Sequence, residues 1–331
     1  MDIRNIRHMS AVTGQRLENA PQAGQVALLY AGVTMGLHAL VTAIDWVLSQ
    51  QVNASGGLSN LGTRSVFQAI QTMLPLVLPL ITMCLDVGYL AAMLRVARRQ
   101  FVSPQTLRLG FDRFWVLLRL TVIRGAIFTA IGFGCMYIGI SIYLMTPLAQ
   151  PLKELMIPLL QDQSLLSGGL AIDEATYNQL VSAMTPALLI SGGIFLVGTA
   201  PVLFQYRMAE YVVVDKPGQG ALAAMRESRR MLKGNWRSLL RLDVSLWWYY
   251  AALVAANVVC YGDRILPLLG VNLPWSEEVS YYVFYFAYLV MLFSIYWRLR
   301  NRAEVTYALV YDTFRPQEQG GGAVLGNIFQ M

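Results

Sequence analysis

Ionisable side chains inside apolar stretches are the groups of this sequence that could do chemistry. They are His38, Asp45, Asp86, Arg124 and Asp243. Such groups can form proton or substrate relays in a membrane, but they usually pair with one another and thereby fix helices. Both interpretations stay open for Asp86 and Asp243, which lie about two helical turns from the basic ends of their stretches. The arginines expected at the same depth are Arg119, Arg124 and Arg241.

Enzyme and metal chemistry have no visible motif. Only two histidines occur, His8 and His38, and the three cysteines, Cys84, Cys135 and Cys260, lie singly in apolar stretches. Structural zinc and disulfide frameworks need closely spaced ligands or paired cysteines. Motifs of metalloproteases, serine hydrolases, P-loop enzymes and dinucleotide-binding domains are missing as well. The sequence therefore predicts no enzymatic activity, no cofactor and no metal.

Anion binding is the chemistry indicated by a basic segment after Tyr206. Its cations recur at i, i+4, i+7 and i+11, which predicts one row along a helix. They are Arg226, Arg230, Lys233 and Arg237. A neighbouring apolar face contains Leu222, Met225 and Leu232. Such a helix lies in the membrane interface with its apolar side in acyl chains. The row is either a cytoplasmic topological signal or a surface that binds an anionic lipid or partner.

Local signals predict where this basic helix begins and ends. Pro217 suits a first helical turn, because its φ is fixed and it has no N–H, and Asp215 can cap that turn. Gly234 and Asn235 should end the helix before Trp236, an aromatic residue of the kind found at headgroup level. We therefore expect an interfacial elbow helix between two apolar stretches.

Apolar stretches long enough to cross a membrane, which takes about 20 residues each, must position these groups. We place six of them at Gly24–Leu48, Val66–Leu94, Leu120–Met145, Ala187–Val213, Leu239–Tyr261 and Val279–Trp297. The chain is 56% hydrophobic and 13% charged, whereas soluble domains are about 25% charged. The composition therefore excludes a single soluble domain and predicts an all-α, polytopic membrane helix bundle.

Lysine and arginine lie almost entirely on one side of this arrangement. The exceptions are Arg64, Lys153 and Arg264. Because positive loops stay in the cytoplasm, both termini are predicted to be cytoplasmic, which agrees with six spans. The net charge of +6 then needs no nucleic acid. The expected partners are the bilayer, its anionic headgroups on the cytoplasmic side, and a protein partner or a second copy of the chain.

The chain is predicted to contain one membrane domain and a weak internal repeat. Residues 1–23 form a cytoplasmic segment, 24–314 the six-span domain and 315–331 a flexible cytoplasmic tail. LLRLTV, which begins at Leu117, and LLRLDV, which begins at Leu239, both follow a tryptophan. A repeated unit of span, elbow helix and span would explain both, although two short matches are weak support.

A longer pattern connects the basic helix to a known family. Asp215-x-Pro217 is followed by Ala224-x-x-x-Ser228, by Gly234 and by the pair Trp247-Trp248. This pattern resembles a family of uncharacterised bacterial integral membrane proteins, a domain of unknown function. That family is similar in turn to the membrane domain found with some glycerophosphodiester phosphodiesterases. The resemblance implies a helical fold in a bacterial plasma membrane and no assigned activity.

These observations favour a membrane component without catalytic activity. We expect it to bind a partner or to organise the membrane through the four basic residues of the elbow helix. The alternative is a small-molecule or lipid transporter that uses spans two and four, in which Pro75, Pro79 and Pro201 would kink or unwind the helices. Asp86 and Asp243 would then be its intramembrane groups.

Overall fold

The structure is a computed structural model that describes residues 3–54, 61–161, 174–268, 270–271, 274 and 276–315. The described residues are almost entirely helical and contain no strand. The predicted all-α bundle is confirmed. The predicted tail lies outside the described residues, apart from Arg315.

The described residues contain fourteen α-helices. In chain order they are α1 Ile3–Glu18, α2 Pro21–Ala54, α3 Leu61–Ala97, α4 Leu109–Asp112, α5 Phe114–Met145, α6 Gln150–Gln161, α7 Glu174–Tyr206, α8 Ala209–Asp215, α9 Ala221–Leu232, α10 Trp236–Ser245, α11 Trp247–Cys260, α12 Gly262–Leu268, α13 Glu277–Ser294 and α14 Arg300–Phe314. Short 3-10 turns at Pro104–Arg108 and Pro147–Ala149 precede α4 and α6, and a π-helical segment at Ile295–Leu299 joins α13 to α14.

Five helical segments in the described ranges are long and apolar enough to cross a membrane. They are Pro21–Gln50, Gln68–Ala97, Phe114–Met145, Gln179–Asp215 and Val279–Phe314. A sixth is present if α10 and α11 count as one span, although they are bent by 62° relative to each other. The chain therefore has the helices of a multi-pass membrane protein, in agreement with the prediction of about six.

The prolines of spans two and four do not unwind their helices. Pro75 and Pro79 lie inside α3, and Pro201 lies inside α7, yet both helices continue through them. Long membrane helices tolerate proline because neighbouring groups satisfy the freed carbonyls. Interruptions occur instead at Arg207 and Met208, between α7 and α8 in the fourth span, and at Leu246, between α10 and α11 in the fifth span.

The contacts divide the chain into two compact units. The first unit comprises Met1–Arg119 and Arg207–Met331, and the second comprises Leu120–Tyr206. The assignment of 24–314 to one membrane domain stays a prediction.

The core of the first unit lies next to the loops that contain most of its lysines and arginines. The buried part of α3 runs from Cys84 to Ala97, and that of α14 from Asn301 to Tyr311. α8 packs against this part of α3, and α9 packs against α8. Both helices have buried residues there. We call this part of the first unit the basic end.

Two glycines let the segment formed by the Pro104–Arg108 turn and α4, which we call the first elbow, approach α3 at the basic end. A Cβ added to Gly110 would lie 1.8 Å from the carbonyl oxygen of Cys84, and one added to Gly88 would lie 2.1 Å from the carbonyl oxygen of Leu107. No side chain fits at these distances. Backbone therefore packs directly on backbone here, which fixes the elbow against α3.

The second unit contains its own helix crossing. A Cβ added to Gly139 on α5 would lie 2.1 Å from Oγ of Ser191 on α7. Tyr143 donates a hydrogen bond to the carbonyl of Ala183 at 2.6 Å. The two helices are therefore in direct contact near the α5 C-terminus.

Candidate functional site

One face of α14 carries a row of polar side chains into the core of the first unit. Its members are spaced i, i+4, i+7 and i+11, so they lie on one side of the helix. They are Arg300, Glu304, Tyr307 and Tyr311, and we call them the α14 polar row. Each member makes side-chain hydrogen bonds to another helix.

Arg300 joins α14 to α2 and α3. Its Nη2 donates to Oδ1 of Asp86 at 3.0 Å, and its Nη1 donates to the hydroxyl of Tyr30. That hydroxyl donates to the same oxygen of Asp86. The Nε of Arg300 is 3.4 Å from Oε1 of Glu304. One guanidinium is thus shared between two carboxylates.

Aromatic rings complete the surroundings of Arg300. Its Cζ lies 4.8 Å from the ring centroids of Tyr30 and Tyr296 and 5.1 Å from that of Tyr89. The hydroxyl of Tyr89 donates to Asn301. A desolvated guanidinium over aromatic rings gains cation–π attraction, which partly replaces lost hydration. The side chain of Arg300 is only 12% exposed, so these partners take the place of water.

Glu304 extends the row to α8. Its Oε2 accepts a hydrogen bond from the hydroxyl of Tyr211 at 2.9 Å. The ring of Tyr211 stacks on that of Tyr311, with 5.5 Å between centroids. Glu304 therefore connects the Arg300 cluster to the end of α8.

Asp243 lies in a second cluster, with Arg207, Tyr250 and Tyr307. Arg207 Nη1 is 3.1 Å from Oδ2 of Asp243, and Tyr307 donates to Oδ1. Tyr250 accepts from Nη2 of Arg207 at 2.7 Å, and its oxygen is also 2.7 Å from that of Tyr307. Cζ of Arg207 lies 4.2 Å from the Tyr307 ring centroid. The four side chains form a closed, mutually satisfied group.

Asp215 lies in a third cluster, around Arg98. Arg98 Nη1 is 2.6 Å from Oδ1 of Asp215, and its Nη2 is 2.6 Å from Oδ1 of Asp312. Tyr311 donates to Oδ2 of Asp215 at 2.9 Å, and Arg315 Nη1 is 3.0 Å from the same oxygen. Burial lowers the pKa of Arg98, but its hydrogen bonds to Asp312 and Asp215 outweigh burial and raise the pKa above its ordinary value.

The expected capping roles of Asp215 and Pro217 are wrong. Asp215 is the last residue of α8, Pro217 lies in the following turn, and the N-cap of α9 is Gly220. The local pattern did suit a cap, but the carboxylate is held by the arginines of the Arg98 cluster. Tertiary pairing has therefore outweighed the local signal.

The buried side of α9 carries an ion pair of its own. Glu227 accepts from Nζ of Lys216 at 2.8 Å. Burial raises the pKa of Glu227, but hydrogen bonds from Lys216 and Gln219 outweigh burial and hold the pKa below its ordinary value. Ser228, the next residue, is fully buried. Ala224 and Ser228, the two residues of the family-like pattern on α9, thus lie on the side of the helix that packs against the protein.

The C-terminal end of α9 agrees with the prediction. α9 ends at Leu232, and α10 begins at Trp236. Gly234 between them has a φ of +89°, in the left-handed region that glycine adopts without strain.

The basic residues predicted for the elbow are exposed, but they do not lie on one helix. Arg226, Arg230, Lys233 and Arg237 are all exposed, and we call them the α9 basic row. Arg226 and Arg230 lie on α9, Lys233 follows its last residue and Arg237 lies on α10, so the predicted single row along one helix is wrong. The opposite face of the helix is buried in the protein at Met225, Met231 and Leu232, whereas Leu222 is 58% exposed. The expectation that the apolar face enters acyl chains is therefore wrong, because the protein core already covers that face.

The predicted intramembrane residues do not form one site. Asp86 and Asp243 belong to separate clusters, and neither of their arginine partners is among those expected from the sequence. His38 Nδ1 is 2.9 Å from the carbonyl oxygen of Thr34, one turn earlier on its own helix. Arg124 belongs to the second unit, where it donates to the carbonyl of Tyr206 at 3.0 Å. Within the described ranges, no three His, Cys, Asp or Glu side chains are grouped so as to hold a metal ion.

A comparison with models of protein families identifies the family of the chain. The model of a family described as "Protein of unknown function (DUF975)" matches residues 1–308. The chain belongs to this family. No curated protein and no solved structure matched in the corresponding comparisons. The resemblance to an uncharacterised family is confirmed, while a bacterial origin and a relation to the phosphodiesterase-associated membrane domain stay predictions.

In this DUF975 member, sequence reasoning missed the helix that joins the clusters. Arg300 and Glu304 were assigned no role, although their spacing from Tyr307 and Tyr311 places all four on one helical face. This polar face continues directly from an apolar span, so it indicates a helix end that is buried by protein rather than by lipid. That signal was present in the sequence.

Proposed function

We propose that the protein is a non-catalytic component of the bacterial plasma membrane that binds an acidic protein partner through the α9 basic row. Both termini and the basic end would face the cytoplasm, because lysine and arginine are retained on that side. The observation that carries the proposal is the exposure of four cations on and directly after α9, a helix whose other face is buried in the protein. A row held in this way is presented to a partner without further ordering of the backbone.

The ion pairs at the N-terminal side of α9 support a rigid presentation. Lys216 and Glu227 hold the beginning of the helix, and the Arg98 cluster holds the end of α8 immediately before it. Binding then costs mainly the ordering of long side chains, which favours recognition by a preformed surface. Charge complementarity at such a surface increases the association rate and makes binding sensitive to salt.

The transporter alternative has less support. It required Asp86 and Asp243 to act as intramembrane groups, but both carboxylates are already paired with arginine and tyrosine. It also relied on helices kinked or unwound at Pro75, Pro79 and Pro201, and α3 and α7 are not unwound at these residues.

Co-purification from the native host in a mild detergent tests the proposed function. The variant replaces the four residues of the α9 basic row with glutamate. The matched control replaces four other exposed cations, Arg108, Arg119, Arg298 and Arg302. We expect a stoichiometric protein to accompany the wild type and the control but not the variant.

Two outcomes would contradict the proposal. A partner that remains bound to the basic-row variant would show that the row is not the contact surface. A lipid or metabolite that stays tightly bound to the basic-row variant, without any protein, would favour the transporter alternative.

A further inference from the structure

The bend between α10 and α11 restricts how deep α10 lies. α10 has 10 residues and is therefore about 15 Å long. It is bent by 62° relative to α11. If α11 follows the membrane normal, α10 is inclined to that normal by the same angle. Of its length of about 15 Å, only roughly 7 Å is then directed along the normal. The whole of α10 then lies close to the inner end of the fifth span.

The length of α11 leads to the same depth. Its 14 residues extend over about 21 Å, which is less than the roughly 30 Å of hydrocarbon. The missing depth is nearly the rise of α10. The fifth span is therefore completed by α10, which must cross the boundary between hydrocarbon and headgroups.

The side chains of α10 are distributed as expected for a helix at the boundary between hydrocarbon and headgroups. Exposed apolar residues recur at i, i+4, i+8 and i+11 and continue across the bend. They are Trp236, Leu240, Val244 and Trp247, and we call them the elbow apolar row. The opposite side of the same segment is buried in the protein at Leu239, Leu242 and Leu246. The protein core is the apolar environment of the buried side. The elbow apolar row on the other side needs an apolar environment outside the protein.

We propose that α10 lies obliquely in the headgroup layer of the cytoplasmic leaflet, with the elbow apolar row among acyl chains and with Lys233 and Arg237 on the headgroup of an anionic phospholipid. The cytoplasmic placement rests on the proposed function, while the oblique depth does not. Val244, nearest to α11, is then the deepest of the exposed residues on α10. Trp236 lies at headgroup level, where tryptophan is enriched in membrane proteins.

The membrane is the occupant because the elbow apolar row is continuous with a span. A single residue, Leu246, separates α10 from α11, so the row cannot leave the bilayer surface while α11 is inserted. Cζ of Arg237 lies 5.5 Å from the ring centroid of Trp236. This stacking places the cation beside the residue assigned to the headgroup layer. Phosphate is the anion available at that depth.

Spin-label depth measurements test the position of α10. Single nitroxide labels at positions 236, 240 and 244 are placed in a chain whose three cysteines are replaced by alanine. The protein is reconstituted in vesicles of phosphatidylcholine and phosphatidylglycerol, and collisions with oxygen and with a water-soluble nickel chelate are compared. The control label is at position 222, where Leu222 on α9 is similarly exposed.

We expect depth to increase from 236 to 240 to 244, with position 222 in water. Three labels as accessible to the nickel chelate as the control label would overturn the proposal. Depth does not depend on any protein partner, so a failed partner capture and a failed lipid insertion give separate results.

A lipid titration tests the headgroup contact. Native mass spectrometry in neutral detergent measures binding of phosphatidylglycerol to wild type, to Lys233→Gln/Arg237→Gln and to the control Arg298→Gln/Arg302→Gln. We expect the first variant to lose about tenfold or more in affinity, the size expected for two basic residues at an anionic surface. The control should bind like wild type. Equal affinity in all three proteins, at unchanged thermal stability, would overturn the assignment of Lys233 and Arg237.

Discussion

Replacing Arg300 with methionine should destabilise the fold strongly, although methionine fits the apolar part of the site. The change leaves Glu304, whose side chain is 17% exposed, with the hydroxyl of Tyr211 but no cation. Asp86 loses the same cation but is 40% exposed, so water compensates part of the loss there. Removing one partner of a buried pair costs about 3–5 kcal/mol. Because of that exposure, we expect the lower end, about 3 kcal/mol.

Thermal unfolding in detergent can measure this change with a thiol-reactive dye. Cys84 and Cys135 are free and buried in the folded protein, so the dye reports their exposure on unfolding. About 3 kcal/mol corresponds to a fall in Tm of roughly 4 °C, because the unfolding entropy of a chain of 331 residues is about 0.7 kcal/mol/K. Arg302→Met is the matched control, because Arg302 is exposed and lies two residues further along α14. Its Tm should change by no more than about 1 °C, as for a surface substitution within about 0.5 kcal/mol.

Arg300→Lys separates charge from geometry. Lysine keeps the cation but lacks the planar fork that reaches Asp86, Tyr30 and Glu304 together. We therefore expect a Tm between those of wild type and Arg300→Met. If Arg300→Met unfolds at the same temperature as Arg302→Met, the enclosed arginine contributes no stability, and the account of the α14 polar row is wrong.

Three further predictions concern other contacts of the first unit. Asp243→Asn should lower the stability by about 3 kcal/mol, because Arg207 loses a buried charge partner; a normal Tm with lost substrate flux in vesicles would instead favour a relay. Glu227 has a folded pKa below its ordinary value of 4.5, so its stabilising effect is complete above that value and disappears as the pH falls through the folded pKa. The Tm difference between wild type and Glu227→Gln should accordingly shrink between neutral pH and pH values below about 4; a constant difference would contradict the pairing with Lys216. Gly110→Ala should prevent accumulation of folded protein, since its Cβ would lie 1.8 Å from a backbone oxygen, and a folded variant with wild-type Tm would disprove the close packing.

The sequence predicted those features that depend on neighbouring residues. Long apolar stretches identified the spans, and Gly234 identified the end of α9, because hydropathy and backbone preference act locally. The spacing of the cations also identified Arg226 and Arg230 as neighbours on the exposed side of α9. Each of these signals is contained within a stretch of sequence no longer than one span.

The pairings could not be predicted, because they depend on distant helices. Asp86 and its partner Arg300 are 214 residues apart, and no local pattern selects Arg300 over the arginines near the predicted depth. The apolar face of α9 shows the same limit. A hydrophobic helix face indicates that an apolar environment covers it, but it does not distinguish lipid from protein.

The position of the α14 polar row near the end of the chain affects how the protein is made. Asp86 leaves the ribosome 214 residues before Arg300, which at about 5–20 residues per second takes roughly 10–40 s. During that interval α3 is already available for insertion, but the carboxylate of Asp86 is not yet paired with Arg300. Assembly of the basic end is therefore a late step of biogenesis, and a chain truncated before residue 300 would present unneutralised acids to the insertion and quality-control machinery.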